Sequence, residues 1–300
     1  MTSLMLLLAA AIRQGPADSL RAQILTRISR DSGATVAVIV RDPVQGFFVA
    51  VNPDLRFHAA STMKLPVLID LGRRIDSREL RWTDPLPVKN EFASIVDGSA
   101  YSLDPREDSD STVYAAVGSR WDLRQLATRM IVRSSNLATN LLIERLGAEH
   151  VTATIRRLGA DSMVVLRGVE DGKAYEKGLN NTTTARDLAT LLLALADGKA
   201  VKKATNAELL RILEAQEFND GIPAGLPPGT RVAHKTGSIT ATWHDAALIF
   251  PGGAGPPYAL VVLTRGIPEH GRGVALQADI ARLAHAAVLE ARARRPGRRP

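Results

Sequence analysis

Ser61 and Lys64 stand three positions apart in Phe57-His58-Ala59-Ala60-Ser61-Thr62-Met63-Lys64, where an extended apolar run gives way to helical spacing. If Ser61 opens a helix, the two side chains share one face, a turn apart. A serine hydroxyl is a poor nucleophile until a base takes its proton. A lysine can be that base once desolvation and nearby cations lower its pKa. Two further clusters offer complementary groups. Ser134-Ser135-Asn136 places two hydroxyls and an amide in a short polar bend between two apolar helical patterns. His234-Lys235-Thr236-Gly237-Ser238 places a cation and hydroxyls on a period-two segment, where they suit a substrate carboxylate, and Gly237 leaves the main chain open to close approach.

Composition narrows the chemistry further. The 300 residues, 45% apolar and 23% charged, suit one large domain or two closely packed ones. Cysteine is absent, which excludes disulfides, thiolate catalysis and cysteine-held metals and directs attention to Ser, Lys and Glu. The six histidines match no zinc spacing, so no metal or other cofactor is expected. His234 and His244 could face one another across a hairpin, as structural histidines, with His234 tuning Lys235. The net charge of +7 is partly due to the arginine-rich stretch 292–300, read as a solvated tail, because no aromatic residues interleave with its arginines and no nucleic-acid motif accompanies it. Leu4 to Ile12 is an apolar run ending in Ala9-Ala10-Ala11. It resembles a secretory leader without its basic start and is too short to span a bilayer.

The elements that must position these groups follow from periodicity. Asp18 to Arg30 reads as an amphipathic helix, and Thr35–Val40 and Phe47–Val51 as a hairpin leading into the Ser61 stretch. The segment from Thr83 to Arg120 has little periodicity and reads as a long loop walling a cleft. Helices follow on either side of Ser134-Ser135-Asn136. Thr184-Ala185-Arg186-Asp187 and Thr205-Asn206-Ala207-Glu208 look like capping boxes, each opening a helix. Arg231–Ser238, Trp243–Phe250 and Tyr258–Arg265 read as three strands before a last helix with Leu276, Ile280, Leu283, Ala284 and Val288 on one stripe. Strands at both ends of the chain thus bracket a helical middle. This predicts an α+β fold, with one antiparallel sheet built from both ends and the terminal helices packed on it. The expected divisions are a possible leader at 1–17, a sheet domain at 18–60 and 228–291, a mostly helical domain at 61–227 and a basic tail at 292–300.

Together, and in this order, the three clusters resemble the Ser-x-x-Lys, Ser-Asp-Asn and Lys-Thr-Gly elements of the penicillin-recognising serine enzymes, particularly class A β-lactamases. Ser135 stands where that family has Asp, which puts one structural hydrogen bond in doubt. The resemblance implies the β-lactamase/transpeptidase fold, a small-molecule substrate (a β-lactam or cell-wall peptide), no nucleic-acid partner, no transmembrane span, a monomer, and a periplasmic or secreted location. By role it implies Ser61 as nucleophile, Lys64 as its activator and Ser134 as the proton relay to the leaving nitrogen. Asn136, Lys235 and Thr236 would hold the substrate, with Gly237 beside them, and the N–H groups of Ser61 and Ser238 would form the oxyanion hole.

Two glutamates compete for the role of the base that frees the acyl-enzyme. Glu176-Lys177-Gly178-Leu179-Asn180 matches the family's Glu-x-x-Leu-Asn letter for letter, but only Asn181 then separates it from Thr182-Thr183-Thr184. Aligning Arg167-Gly168-Val169-Glu170 with the family's Arg-Trp-Glu instead keeps the loop near its usual length. Loop length fixes where a side chain can reach, so Glu170 is the preferred base and Glu176 the alternative. If neither serves, the chain is a slow penicillin-binding D-Ala-D-Ala peptidase or esterase. A non-catalytic β-lactam or muropeptide binding module is a third reading, although a pure binder has no use for both Lys64 and Ser134.

Overall fold

The structure is a computed structural model describing residues 15–252 and 255–294. The apolar run at 4–12 and the tail beyond Arg294 lie outside the described residues. Helix α1 (Pro16–Ile28) opens on a proline, whose missing N–H is not needed at that position, and buries Leu20 and Ile24. Strands β1 (Thr35–Asp42) and β2 (Phe47–Val51) form the expected hairpin. A two-residue strand β3 (Phe57–His58) then enters a 3-10 turn, Ala60–Met63, which runs straight into α2 (Lys64–Asp76).

The long loop expected over 83–120 is more ordered than its sequence suggests. Pro85–Pro87 (β4) pairs with Arg120–Asp122 (β7), Phe92–Ala93 (β5) pairs with Ala100–Tyr101 (β6), and Ser111–Ala115 forms α3. Pairings of two or three residues are too short to leave a periodic trace. Helices α4 (Leu123–Val132), α5 (Asn136–Leu146), α6 (Ala148–Arg156) and α7 (Gly172–Glu176) follow. Strand β8 (Thr182–Thr183) pairs with β3. Thr184 caps α8 (Ala185–Ala196) as its sequence indicates, its hydroxyl oxygen accepting the Asp187 N–H at 3.1 Å.

The second expected cap is wrong. Helix α9 (Lys203–Glu214) begins two residues before Thr205. Asp76, at the end of α2, accepts both the Lys202 N–H and the Thr205 hydroxyl, so the acceptor comes from a distant segment and not from the local Thr-x-x-Glu pattern.

Strands β9 (Arg231–Ile239), β10 (Thr242–Phe250) and β11 (Tyr258–Arg265) complete an antiparallel sheet in the order β2-β1-β11-β10-β9. Both of its faces are covered, which is why its central strands read as nearly unbroken apolar runs. Ala37, Ile39, Ala233, Ala246, Leu248, Val261 and Leu263 pack against the helices from the middle of the chain. Their neighbours Val36, Val38, Val40, Ala247, Ile249 and Val262 pack towards α1 and the last helix, α10 (His270–Ala293). Arg292 lies inside α10 and pairs with the wholly buried Asp42 at 2.8 and 2.9 Å. This is the expected α+β architecture. No helix among the described residues is long and apolar enough to cross a membrane.

Candidate active site

Strand β9 is the outer strand of the sheet, and its Lys235-Thr236-Gly237 segment passes beside the 3-10 turn that carries Ser61. Gly237 makes that approach possible. A methyl group there would lie 3.0 Å from the Ser61 nitrogen and 2.9 Å from the Thr62 nitrogen. The turn is tight from its start, since Ala60 has φ 46, a left-handed conformation that costs a non-glycine residue about 1 kcal/mol or more. At its end the Lys64 N–H donates to the Ser61 carbonyl, which sets the expected one-turn spacing.

Lys64 is wholly buried. Its Nζ donates to the Ser134 carbonyl, to the Ser134 hydroxyl at 3.2 Å and to Asn136 Oδ1 at 2.8 Å. Lys235, equally buried, donates to the same Ser134 hydroxyl at 3.1 Å. Ser134 reaches between the two from a left-handed backbone, φ 57, in the bend between α4 and α5. Burial pushes the Lys64 amine down to about 7, against the opposing pull of Asp108 and Glu170. Lys235 lies well below its ordinary value, first through burial and then through the charge of Lys64. Two buried ammonium groups sharing one hydroxyl cannot both hold their protons cheaply, so one amine is available as a base near neutral pH.

Asn136 opens α5 and sits between Lys64 and Glu170. Its Oδ1 accepts from Lys64, and its Nδ2 donates to Glu170 Oε1 at 2.6 Å. The amide expected to hold substrate is therefore also a structural link. Glu170 lies on a loop fixed by three anchors. Asn140 Oδ1 accepts the Val169 N–H at 2.6 Å, Asn181 Oδ1 accepts the N–H groups of Leu166 and Arg167 at 2.7 and 3.1 Å, and the Asp171 carboxylate accepts from Ser94 Oγ at 2.9 Å. Glu170 itself has φ 62 and keeps a solvent-exposed face, yet lost hydration raises its carboxyl above the ordinary range, opposed by the Asn136 bond and Lys64. Glu176 lies at the end of α7 and is exposed, and Asn180 of the matching letters accepts from Arg167 Nη2 at 3.0 Å.

These groups border a cleft of about 350 Å³ lined by Ser61, Ser134, Asn136, Thr236, Gly237 and Ser238. The arrangement can carry out nucleophilic acyl transfer: a hydroxyl at a helix start, a buried amine that titrates near neutral pH, a second hydroxyl between two lysines, and a carboxylate tied to them through Asn136. A family model described as Beta-lactamase enzyme family matches residues 19–288. The chain belongs to that family.

Curated relatives in the family include β-lactamases from Bacillus licheniformis and Amycolatopsis lactamdurans. The first is 25% identical, with 79% of this chain and 74% of the relative covered. The second is 27% identical, with 91% and 87% covered. Among solved structures, PBP-A superposes with a TM-score of 0.78 at 27% identity, covering 91% of this chain and 96% of that one. An ancestral class A β-lactamase superposes at 0.77 and 28% identity, covering 91% and 99%.

For a member of the β-lactamase family, several site residues here escape sequence reasoning. Asp108 is one. Asp108 Oδ2 accepts the N–H groups of Asn136 and Leu137 at 2.8 and 3.0 Å, while Ser135 Oγ caps α5 through the Ala138 N–H at 3.2 Å. The dense run of acidic residues from Asp104 to Asp110 was its only trace in the sequence. Glu107, Ser109, Phe218, Asp220, Trp243 and His270 also line the cleft. His234 and His244 do not face one another. The β9–β10 register sets His234 opposite Ala247 and His244 opposite Gly237, so their side chains leave opposite faces of the sheet. His234 Nδ1 lies 2.9 Å from Asp245 Oδ1, away from Lys235. Among the described residues no group of three metal-ligating side chains occurs.

Proposed function

We propose that this chain is a serine hydrolase that opens β-lactam amides through an acyl-Ser61 intermediate. The observation that carries the reading is the Ser134 hydroxyl held between two wholly buried lysines beside the Ser61 turn. In this reading neutral Lys64 accepts the Ser61 proton as Oγ attacks the lactam carbonyl. The N–H groups of Ser61 and Ser238 take the developing oxyanion, and Gly237 lets β9 come close enough for both to point at one oxygen. The proton passes through Ser134 to the leaving nitrogen, and Lys235 stabilises that transfer and, with Thr236, binds the substrate carboxylate. Glu170, with its carboxyl raised, then takes a proton from the water that hydrolyses the ester.

A second reading is a penicillin-binding peptidase or esterase that acylates readily and deacylates slowly. Its support is the likeness to PBP-A and the direct 2.6 Å bond between Glu170 and Asn136, which engages one carboxylate oxygen. An exported, monomeric protein fits both readings, and the apolar run at 4–12 supports export. Nitrocefin turnover decides between them. The first reading predicts multiple turnovers, abolished by Ser61→Ala. A single burst followed by a stable acyl-enzyme adduct, with D-alanine released from cell-wall peptides, supports the second.

A further inference from the structure

Behind the Ser61 turn two imidazoles, one of them the cleft-lining His244, are linked through main-chain hydrogen bonds. The Ala60 N–H donates to His58 Nδ1 at 3.0 Å, and the Thr264 N–H donates to His244 Nδ1 at 3.2 Å. His244 Nε2 lies 2.9 Å from the His58 carbonyl. A backbone N–H can only donate and a carbonyl can only accept. Each Nδ1 is therefore an unprotonated acceptor, and His244 carries its proton on Nε2. The links form one path, from Thr264 on β11 through His244 on β10 and His58 on β3 to Ala60, the left-handed residue immediately before Ser61.

We propose that His58 and His244 are positioning residues that act only as neutral imidazoles, holding the Ala60 turn and so the Ser61 hydroxyl and N–H in the geometry that acylation requires. The inference rests on the acyl-serine reading above and extends it to residues that act through the Ser61 turn. Left-handed backbone at Ala60 needs an external restraint, and the His58 acceptor two residues earlier supplies one, as an Asx turn would.

The surroundings favour the neutral form. The charge of Arg167 faces His58, as do the Asn180 side chain and the edge of Tyr175, 6.5 Å between ring centroids. Burial first, and Arg167 second, hold His58 below its ordinary value, while Asn180 opposes them. Around His244 stand His58 and the Phe57 ring, 5.7 Å away and edge-on, and burial pushes this imidazole down to about 4. Protonation at either Nδ1 would set N–H against N–H and release the turn.

Two measurements on the full chain test this. Long-range proton–nitrogen spectra of histidine-labelled protein at pH 7 should show two rings with a bare Nδ1 and a protonated Nε2, one of them lost in His58→Asn. A doubly protonated ring or a protonated Nδ1 at either site overturns the arrangement, whether or not the protein reacts with β-lactams. In the second measurement, acylation by benzylpenicillin is followed against pH. His58→Ala should be slower at pH 7 by about tenfold, the worth of one hydrogen bond. His58→Asn, whose Oδ1 can accept the same N–H without titrating, should stay within about threefold of the parent. It should also lack the extra steepening of the acid limb that the parent shows. A parental rate in His58→Ala, or the same acid steepening in His58→Asn, overturns the positioning role. A parent that never acylates would instead sink the acyl-serine reading, and the spectra would still decide the arrangement.

Discussion

Asn136 Nδ2 donates to Glu170 Oε1 at 2.6 Å while the Oδ1 of the same amide accepts from Lys64 at 2.8 Å. Flipping the amide would set oxygen against carboxylate and N–H against ammonium, so the two charged partners fix its orientation. One side chain thus ties the amine that would drive acylation to the carboxylate that would drive deacylation. Their titrations are coupled, since Glu170 raises Lys64 and Lys64 lowers Glu170.

The first prediction concerns pH. Lys64 must be neutral to accept the Ser61 proton, and its amine lies at about 7. Acylation measured by stopped flow should rise by about one log unit per pH unit below that point and level off above it. Lys64→Arg, which keeps a charge that never titrates, should be slower by about a hundredfold or more with no such rise. A pH-independent parental rate between pH 5 and 9 would contradict this.

Asp108 should affect both stability and titration. Asp108→Ala removes the acceptor for the Asn136 and Leu137 N–H groups and should cost about 1 kcal/mol in urea unfolding. Its negative charge also helps Lys64 keep a proton, so removing it should move the acylation midpoint to lower pH. Asp108→Asn separates the two effects: stability stays near that of the parent while the midpoint still falls.

Gly237→Ala should act on rate alone. The added methyl would lie 3.0 Å from one main-chain nitrogen and 2.9 Å from the next, and neither can swing aside. β9 must draw back, widening the gap between the Ser61 and Ser238 N–H groups, so acylation should slow by about tenfold to a hundredfold. The midpoint set by Lys64 should not move. An unchanged rate would mean that the two N–H groups do not act on the same oxygen.

His244 links stability to acid. Its folded value of about 4 lies below the unfolded 6.5, so the unfolded chain binds more protons between them. The contribution is complete above 6.5 and lost as pH falls towards 4, on the order of 3 kcal/mol over the whole range. Comparing urea midpoints at pH 7 and 4.5 should show a larger loss in the parent than in His244→Asn. Equal losses would place no linkage at this ring.

The sheet was legible in the sequence because each long strand buries a face, and burial leaves apolar alternation or an apolar run to read. The three motif clusters were legible for a different reason: Ser61 and Lys64, or Lys235 and Gly237, lie within one turn or one strand, where spacing fixes geometry. What stayed hidden depends on contacts between distant segments. The acceptor at the start of α9 is Asp76, more than a hundred positions from Thr205. His244 meets the His58 carbonyl across 186 positions, and Asp108 reaches the start of α5 from another loop. Loop length, which favours Glu170 over Glu176, is the part of the site that spacing alone leaves to experiment. Glu170 bonds Asn136, whereas Glu176 stands exposed at the end of α7.

Time-resolved intact-mass spectrometry with benzylpenicillin tests the central claim most directly. The account predicts a transient penicilloyl adduct on Ser61 in the parent, a persistent one in Glu170→Gln, parental behaviour in Glu176→Gln and no adduct in Ser61→Ala. An adduct that survives Ser61→Ala would contradict the account, as would persistence in Glu176→Gln with normal clearance in Glu170→Gln.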